Sequence, residues 1–410
     1  MKKLQFLVLL SGLMFFAGSC KKEKEPEKKI NLSNDEMLMV GSSNTFGFDL
    51  FRYIEQNNES QENIMVSPLS IDYALFMAYN GAKGETKEQM KSVLHTTGLS
   101  DEQFNQNNLN IMNALMNVDP LVQMKIANSI WHDKDFNVLS RFIQVNQTFY
   151  KAIVESLDFS DPQSVQIINN WVSEQTNGKI PAIIDAIPDD AVLYLINAIY
   201  FKGQWKYQFD ETLTMPRTFY KQDGTQSNPE TMVSQAAFRY YENEKFEAVE
   251  LPYGQGNYSM VVLLPKTSSN PSEVISLMNS QNWDSWIEGM VEQESVVVYL
   301  PRFTFSYEML LNSTLQGLGM TNAFNPEIAD FSGITTQMEI FISRVIHKTI
   351  VEVNEQGTEA AAVTAIEFYN TSTGPDEPEP KYFYVDRPFV FVIRERDTNA
   401  VLFAGKVMEP

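Results

Sequence analysis

Apolar positions along the chain switch between a helical period and a strand period. Residues 44–56 place Phe46, Leu50 and Tyr53 on one face, which predicts a helix. Ser67 followed by Pro68, Leu69 and Ser70 has the form of a helix start, a capping hydroxyl and then proline in the first turn. The apolar stretch to Tyr79 continues that helix. Residues 86–94 predict a short helix capped by Thr86. Residues 163–177 predict a longer one with Ile167, Trp171 and Val172 inward. Strand-type runs occupy 192–201, 246–252, 258–264, 295–300, 345–353 and 389–393. Gly254-Gln255-Gly256 reads as a hairpin turn between two of them. Helices and strands come in blocks rather than in strict alternation. That points to an α+β fold with a large, mostly antiparallel sheet system.

The N-terminus follows a different pattern. Lys2 and Lys3 precede an apolar run from Leu4 to Ala17, then Gly18, Ser19 and Cys20. A basic start, a short apolar core and small residues make an export signal; the run is too short to span a bilayer. Segment 1–20 resembles a bacterial lipoprotein signal, with Cys20 as the lipidated first residue of the mature chain. An ordinary signal peptide with an incidental Cys20 is the other reading. The expected location is that of an exported lipoprotein, at the outer membrane, the cell surface or outside the cell, with lipid as its only membrane contact. Cys20 is the one cysteine, so disulfides do not hold the fold. Residues 21–42, which open KKEKEPEKKI, are expected to be a charged flexible tether, with the globular part over 43–410.

Composition narrows the function classes. The 410 residues are 43% hydrophobic and 20% charged, which indicates a folded chain. A formal net charge of -21 disfavours nucleic acid as a partner. The three histidines, His95, His132 and His347, sit in no metal-binding or nucleophile motif, and no phosphate-binding loop is present. An enzyme is not expected, nor a metal or other cofactor.

Residues 351–384 carry the most distinctive pattern. Glu355-Gln356-Gly357 turns the chain after a strand, and small side chains follow to Thr364. Thr358, Ala360, Ala362, Thr364, Ile366 and Phe368 would share one face of a strand. Glu359, Ala361, Val363, Ala365, Glu367 and Tyr369 would share the other, which holds both charges. An Ala-rich helix or edge strand is the plainer reading of the same residues.

NEQGTEAAA at 354–362 resembles the proximal hinge of the reactive-centre loop of serpins. NIMVSPLS at 63–70 resembles the segment entering the helix beneath their main sheet. NNWV at 169–172, with Thr176 and Ile180, and LINAIYFKGQW at 195–205 resemble the approach to that sheet's third strand and the strand itself. LPRF at 300–303, LGM at 318–320 with Phe324, ADFSG at 329–333, RPFVF at 387–391 and LFAGKV at 402–407 match further blocks, in order, over 43–410.

The resemblance implies the serpin fold: a large, mostly antiparallel main sheet, further sheets, surrounding helices and an exposed loop at about 356–381. It implies an irreversible suicide-substrate inhibitor of serine or cysteine endopeptidases. The loop is cut as bait, and the freed part inserts in the main sheet and traps the acyl-enzyme. A carrier or chaperone of the same family is the alternative; the small hinge residues Gly357, Thr358, Glu359, Ala360, Ala361 and Ala362 argue against it. Glu355, Arg302 and Trp205 match the region where insertion begins. Ser67, Ser70, Asn197 and His347 match the polar cluster that lets the sheet open. His347 is then either a gate sensitive to protonation or a satisfied core histidine. The bait bond falls between Thr371 and Ser372, which suits an elastase-like protease. Phe368 or Tyr369 would suit a chymotrypsin-like enzyme, and Asn370 an asparagine-specific one. The loop offers no Arg or Lys before Lys381, which disfavours trypsin-like targets, and Asp376, Glu377 and Glu379 would steer basic proteases to it. A monomer is expected.

Overall fold

Ser33 starts the first helix. Its hydroxyl accepts from Glu36 N (3.3 Å), and the Glu36 carboxylate accepts from Ser33 N (2.7 Å), a complete capping box. The tether expected over 21–42 therefore ends by Ser33, and the helix runs from Asn34 to Asn57. The computed structural model describes residues 28–58, 62–96, 98–358 and 379–410.

The first part holds α1 (Asn34–Asn57), β1 (Ile64–Val66), α2 (Pro68–Tyr79), α3 (Gly84–Val93) and α4 (Asp101–Asn117). Next come β2 (Val122–Asp133), α5 (Ser140–Tyr150), β3 (Ile153–Leu157), α6 (Gln163–Gln175) and β4 (Leu193–Gln204). Three short pieces, β5 (Met215–Pro216), β6 (Phe219–Tyr220) and β7 (Gln226–Ser227), precede β8 (Glu230–Glu242), β9 (Phe246–Tyr253) and β10 (Tyr258–Pro265). α7 (Pro271–Leu277) and α8 (Ser280–Gly289) lead to β11 (Val291–Pro301) and β12 (Phe303–Leu310). The chain ends with α9 (Asn312–Gly317), β13 (Ile346–Asn354), β14 (Gly357–Thr358), β15 (Lys381–Tyr384), β16 (Phe389–Glu395) and β17 (Val401–Val407).

The strands form a 9-stranded sheet, ordered β1-β17-β16-β10-β9-β8-β11-β15 with β5 beside β8, a 6-stranded sheet ordered β12-β13-β14-β4-β2-β3, and the pair β6-β7. Only β11–β15 and β2–β3 pair in parallel among the described ladders. This is the α+β architecture expected, with helices around the sheets. The core lies where the two sheets meet. Every residue of β10, β16 and β17 is buried, and Phe201 of β4 packs edge-on against Tyr253, Tyr258 and Phe403. α2, apolar nearly all round, lies between β4 and β17, as a helix buried on both sides must.

Three local expectations shift. Thr86 does not cap α3; Lys83 holds that position, and the buried Thr86 hydroxyl accepts from Asp330 N (3.0 Å). Ile167 faces out, 44% exposed, and Ile168 takes its place beside Val172. Trp171 is half-buried, edge-on to Trp131. The hairpin turn is present: Gly254 and Gly256 both have positive φ, and Asp119 accepts from Gln255 N (2.8 Å).

Candidate functional site

The 6-stranded sheet is divided at its centre. β13 and β4 lie on either side of β14, and each is antiparallel to it. β14 contributes Gly357, paired with Asn354 and Gln204, and Thr358, paired with Val353 and Gly203. Below Thr358 no ladder joins β13 to β4 among the described residues. A cavity of about 380 Å³ occupies that gap, lined by Leu195, Asn197 and Ile199 on one side and His347, Thr349 and Val351 on the other. Facing strand edges without a ladder are a ready template for another strand.

The upper end is tightly built. Trp205 stacks on Tyr253 (4.3 Å between ring centres, 13° apart), and its indole N–H donates to Asn354 O (2.9 Å). Trp205 N donates to Gln356 O (2.9 Å), and Phe209 N donates to Glu355 O (3.0 Å). The turn 355–356 is thereby held over the end of β4. Gly357 has φ 153°, and a Cβ there would stand 2.0 Å from Gly203 O, so no side chain fits without moving the β4 backbone. Thr358 is buried, with Oγ1 2.6 Å from the Tyr253 hydroxyl.

Glu355 is clamped on its side chain as well. Arg302 Nε donates to both carboxylate oxygens (2.8 and 3.0 Å), and Thr214 Oγ1 donates to one of them (2.6 Å). Burial alone would raise the Glu355 pKa; the hydrogen bonds from Arg302 and Thr214 outweigh it and hold the carboxyl below its ordinary value. The structure thus brings together Trp205, Arg302, Glu355, Gly357 and Thr358.

The polar cluster lies lower, where α2 passes under the cavity. Ser67 N donates to His347 Nε2 (3.1 Å), and Ser67 Oγ donates to Leu402 O (2.8 Å). Ser70 Oγ donates to Asn197 Oδ1 (2.5 Å). The four expected residues therefore form two pairs, one on each wall, joined through the cap contact of Ser70 N with Ser67 Oγ (3.4 Å). Burial pushes the His347 pKa down to about 4, so the ring is neutral at neutral pH and Nε2 accepts. His95, exposed, and His132, half-buried, stand apart: His95 Nε2 meets Asp49 (3.0 Å), and His132 Nδ1 meets Asp133 O (2.9 Å). Among the described residues no three His, Cys, Asp or Glu converge as metal ligands would.

Three residues of the site escape sequence reasoning. Tyr253 stacks on Trp205 and meets Thr358, and Thr214 completes the Glu355 clamp. Asn128 of β2 accepts from Asn197 Nδ2 (2.8 Å) and donates to Tyr150 O (2.7 Å), which extends the cluster to α5. The expected hinge residues Glu359, Ala360, Ala361 and Ala362, the bait candidates Phe368, Tyr369, Asn370, Thr371 and Ser372, and Cys20 lie outside the described residues.

The comparisons agree on one family. The family described as "Serpin (serine protease inhibitor)" matches residues 41–410. A serpin-like protein of Thermococcus kodakarensis is 34% identical over 378 residues, 92% of this chain and 86% of its own length. The leukocyte elastase inhibitor of Xenopus laevis is 34% identical, covering 89% of this chain and 97% of that protein. The native state of tengpin, a thermophilic serpin, superposes with a TM-score of 0.83 at 33% identity, covering 93% of this chain and 96% of that one.

Proposed function

The chain belongs to the serpin family, and we propose that it is an irreversible suicide-substrate inhibitor of serine endopeptidases, with cysteine endopeptidases as further targets. One observation carries this reading: Gly357 and Thr358 already pair with both β13 and β4, above a strand-wide gap.

Strand alternation then sets what enters the gap. Thr358 faces the core, so Ala360, Ala362, Thr364, Ile366 and Phe368 follow it inward, and Glu359 and Glu367 stay outside. Insertion buries small and apolar groups, satisfies two open strand edges and leaves no carboxylate in the core. In the same register Thr364 arrives between Asn197 and His347. That polar side chain meets the polar pair Asn197 and His347 in the cavity wall.

The target's nucleophile attacks the bait carbonyl, placed at Thr371, and forms an ester or thioester. The amine of Ser372 leaves on the segment that continues to β15. Insertion of the freed strand carries the acylated protease away from the loop's original position. Hydrolysis of the acyl bond needs a water and a base within tight geometric limits, so distortion preserves the trap. A carrier function does not call for a hinge of this kind. The small inward side chains favour the inhibitor.

The test is incubation of the purified protein with pancreatic elastase, chymotrypsin and a panel of cysteine proteases. A denaturation-resistant band at the summed mass less the released C-terminal peptide is expected. Cleavage of the loop without any such band would overturn the inhibitor reading. We further propose export and lipid attachment at Cys20. Radiolabelled palmitate is expected to mark the wild type but not Cys20→Ser; equal labelling would refute it.

A further inference from the structure

We propose that Arg217, Tyr299, Tyr384 and Tyr382 form a docking face for the protease held on the loop, distinct from the bait segment itself. This inference rests on the inhibitor reading.

The four side chains make a continuous stack. The Arg217 guanidinium lies 4.7 Å over the Tyr299 ring. Tyr299 stacks on Tyr384 (4.4 Å, 17°), and the Tyr384 ring is nearly parallel to that of Tyr382 (5.8 Å, 7°). The arrangement follows from the ladder: Tyr384 pairs with Tyr299 across β11–β15, and Tyr382 and Tyr384 are two residues apart on one strand face. Folding has no evident need of the outer two rings. Tyr382 is 50% exposed and Tyr384 45%, while Phe383 between them is fully buried.

The stack has, at its two ends, residues close in sequence to those at both roots of the loop. At the first root, Glu355 accepts from Thr214, which leads directly into β5 and Arg217. At the second, Lys381 precedes Tyr382. The turn before Gly357 and the start of β15 are thus each tied to an end of this face, and the face is what a protease engaged on the intervening segment would meet. The chemistry suits a protein partner. Tyrosine and arginine are the side chains enriched at binding hot spots, with a large apolar body and a polar tip. Rings already stacked in the free protein have little side-chain freedom left to lose on binding. Pairing with a second copy along the β15 edge is disfavoured, because that edge is 4 residues long and begins with Lys381.

The test uses the purified full chain with chymotrypsin and with pancreatic elastase, and compares Tyr382→Ala and Tyr382→Ala/Tyr384→Ala with the wild type. The second-order rate of covalent trapping is expected to fall about tenfold in the double variant, the equivalent of one lost hot-spot contact. The number of inhibitor molecules consumed per protease trapped should not change, because the hinge and bait are intact. Tyr382→Ala leaves the Tyr299–Tyr384 pair in place, so its melting temperature controls for misfolding; a partial fall in rate is expected there. Normal trapping at an unaltered rate in both variants overturns the docking face and leaves the inhibitor reading intact. Failure of the wild type to trap either enzyme overturns both. A wild-type dimer that the double variant abolishes would assign the face to a second copy and also overturn the proposal.

Discussion

Thr358 Oγ1 lies 2.6 Å from the Tyr253 hydroxyl, so the first inserted side chain points at the core and sets the facing of every residue after it. Tyr253 is itself stacked on Trp205, and Trp205 is bonded to Asn354. The starting register is therefore held by three aromatic and hydroxyl contacts rather than by the short ladder alone.

Thr358→Arg is expected to turn the inhibitor into a substrate. The buried site that Thr358 occupies beside Tyr253 would leave the arginine outside, and insertion could then proceed only by desolvating it, at a cost of roughly several kcal/mol. Each ~1.4 kcal/mol added to the insertion barrier slows it about tenfold, while hydrolysis of the acyl-enzyme is unaffected. The measurement is the number of inhibitor molecules cut per protease trapped, and it should rise at least about tenfold. Glu359→Arg, one position on and facing out, should leave that ratio near the wild-type value. Equal effects of the two substitutions would refute the facing.

The Arg302–Glu355 pair predicts a pH signature. The Glu355 carboxyl is depressed in the fold, so the folded state binds fewer protons than the unfolded one as glutamate titrates. The stability this provides is complete above the ordinary glutamate pKa and is lost as pH falls through the native one. Glu355→Gln is expected to flatten that acid limb in urea unfolding. At neutral pH it should cost ~1–2 kcal/mol, less than a fully buried pair, because the Arg302 side chain is 46% exposed. An acid limb identical to the wild type would exclude Glu355 as its source.

What could be read from the sequence was whatever repeats within one segment. The strand runs around 246–264 and the Ser67-Pro68 helix start are local patterns, and local patterns survive without coordinates. The Ser33–Glu36 capping box was equally local, but the charged residues before it drew the tether too far. Ile167 shows the limit of periodicity: a one-residue phase error on α6 exchanges an outward side chain for Ile168. Tyr253, Thr214 and Asn128 belong to a different class. Each has a partner more than sixty residues away in sequence, and no period or motif marks such a contact.

Asn128 predicts how the β4 wall of the gap is restrained. It links Asn197 on β4 to the Tyr150 carbonyl at the end of α5, and Asn197 in turn accepts from Ser70 on α2. Asn128→Ala strands the half-buried Asn197 amide N–H and the buried Tyr150 carbonyl together, at ~2 kcal/mol. Urea unfolding should show that loss. β4 should also move more freely, so amide exchange along 193–204 should quicken in the native state. A stability loss with unchanged exchange in β4 would make Asn128 an ordinary core residue.

His347 sets the last prediction, and its sign follows from the neutral ring. The native pKa is about 4, against an ordinary value near 6.5. Between those values the unfolded chain binds a proton that the folded chain refuses, so stability rises with pH across the window and is penalised below it. The penalty approaches ~3 kcal/mol at the acid end. The same ring accepts from Ser67 N, and protonation would put two donors face to face beneath the gap. Acidification should therefore weaken the α2 contact first and ease separation of β13 from what lies under it. His347→Gln keeps an acceptor near Ser67 N and removes the titration. Urea midpoints measured across the window should slope in the wild type and lose this part of the slope in the variant. Parallel slopes would transfer the effect to the acidic groups and leave His347 a passive acceptor.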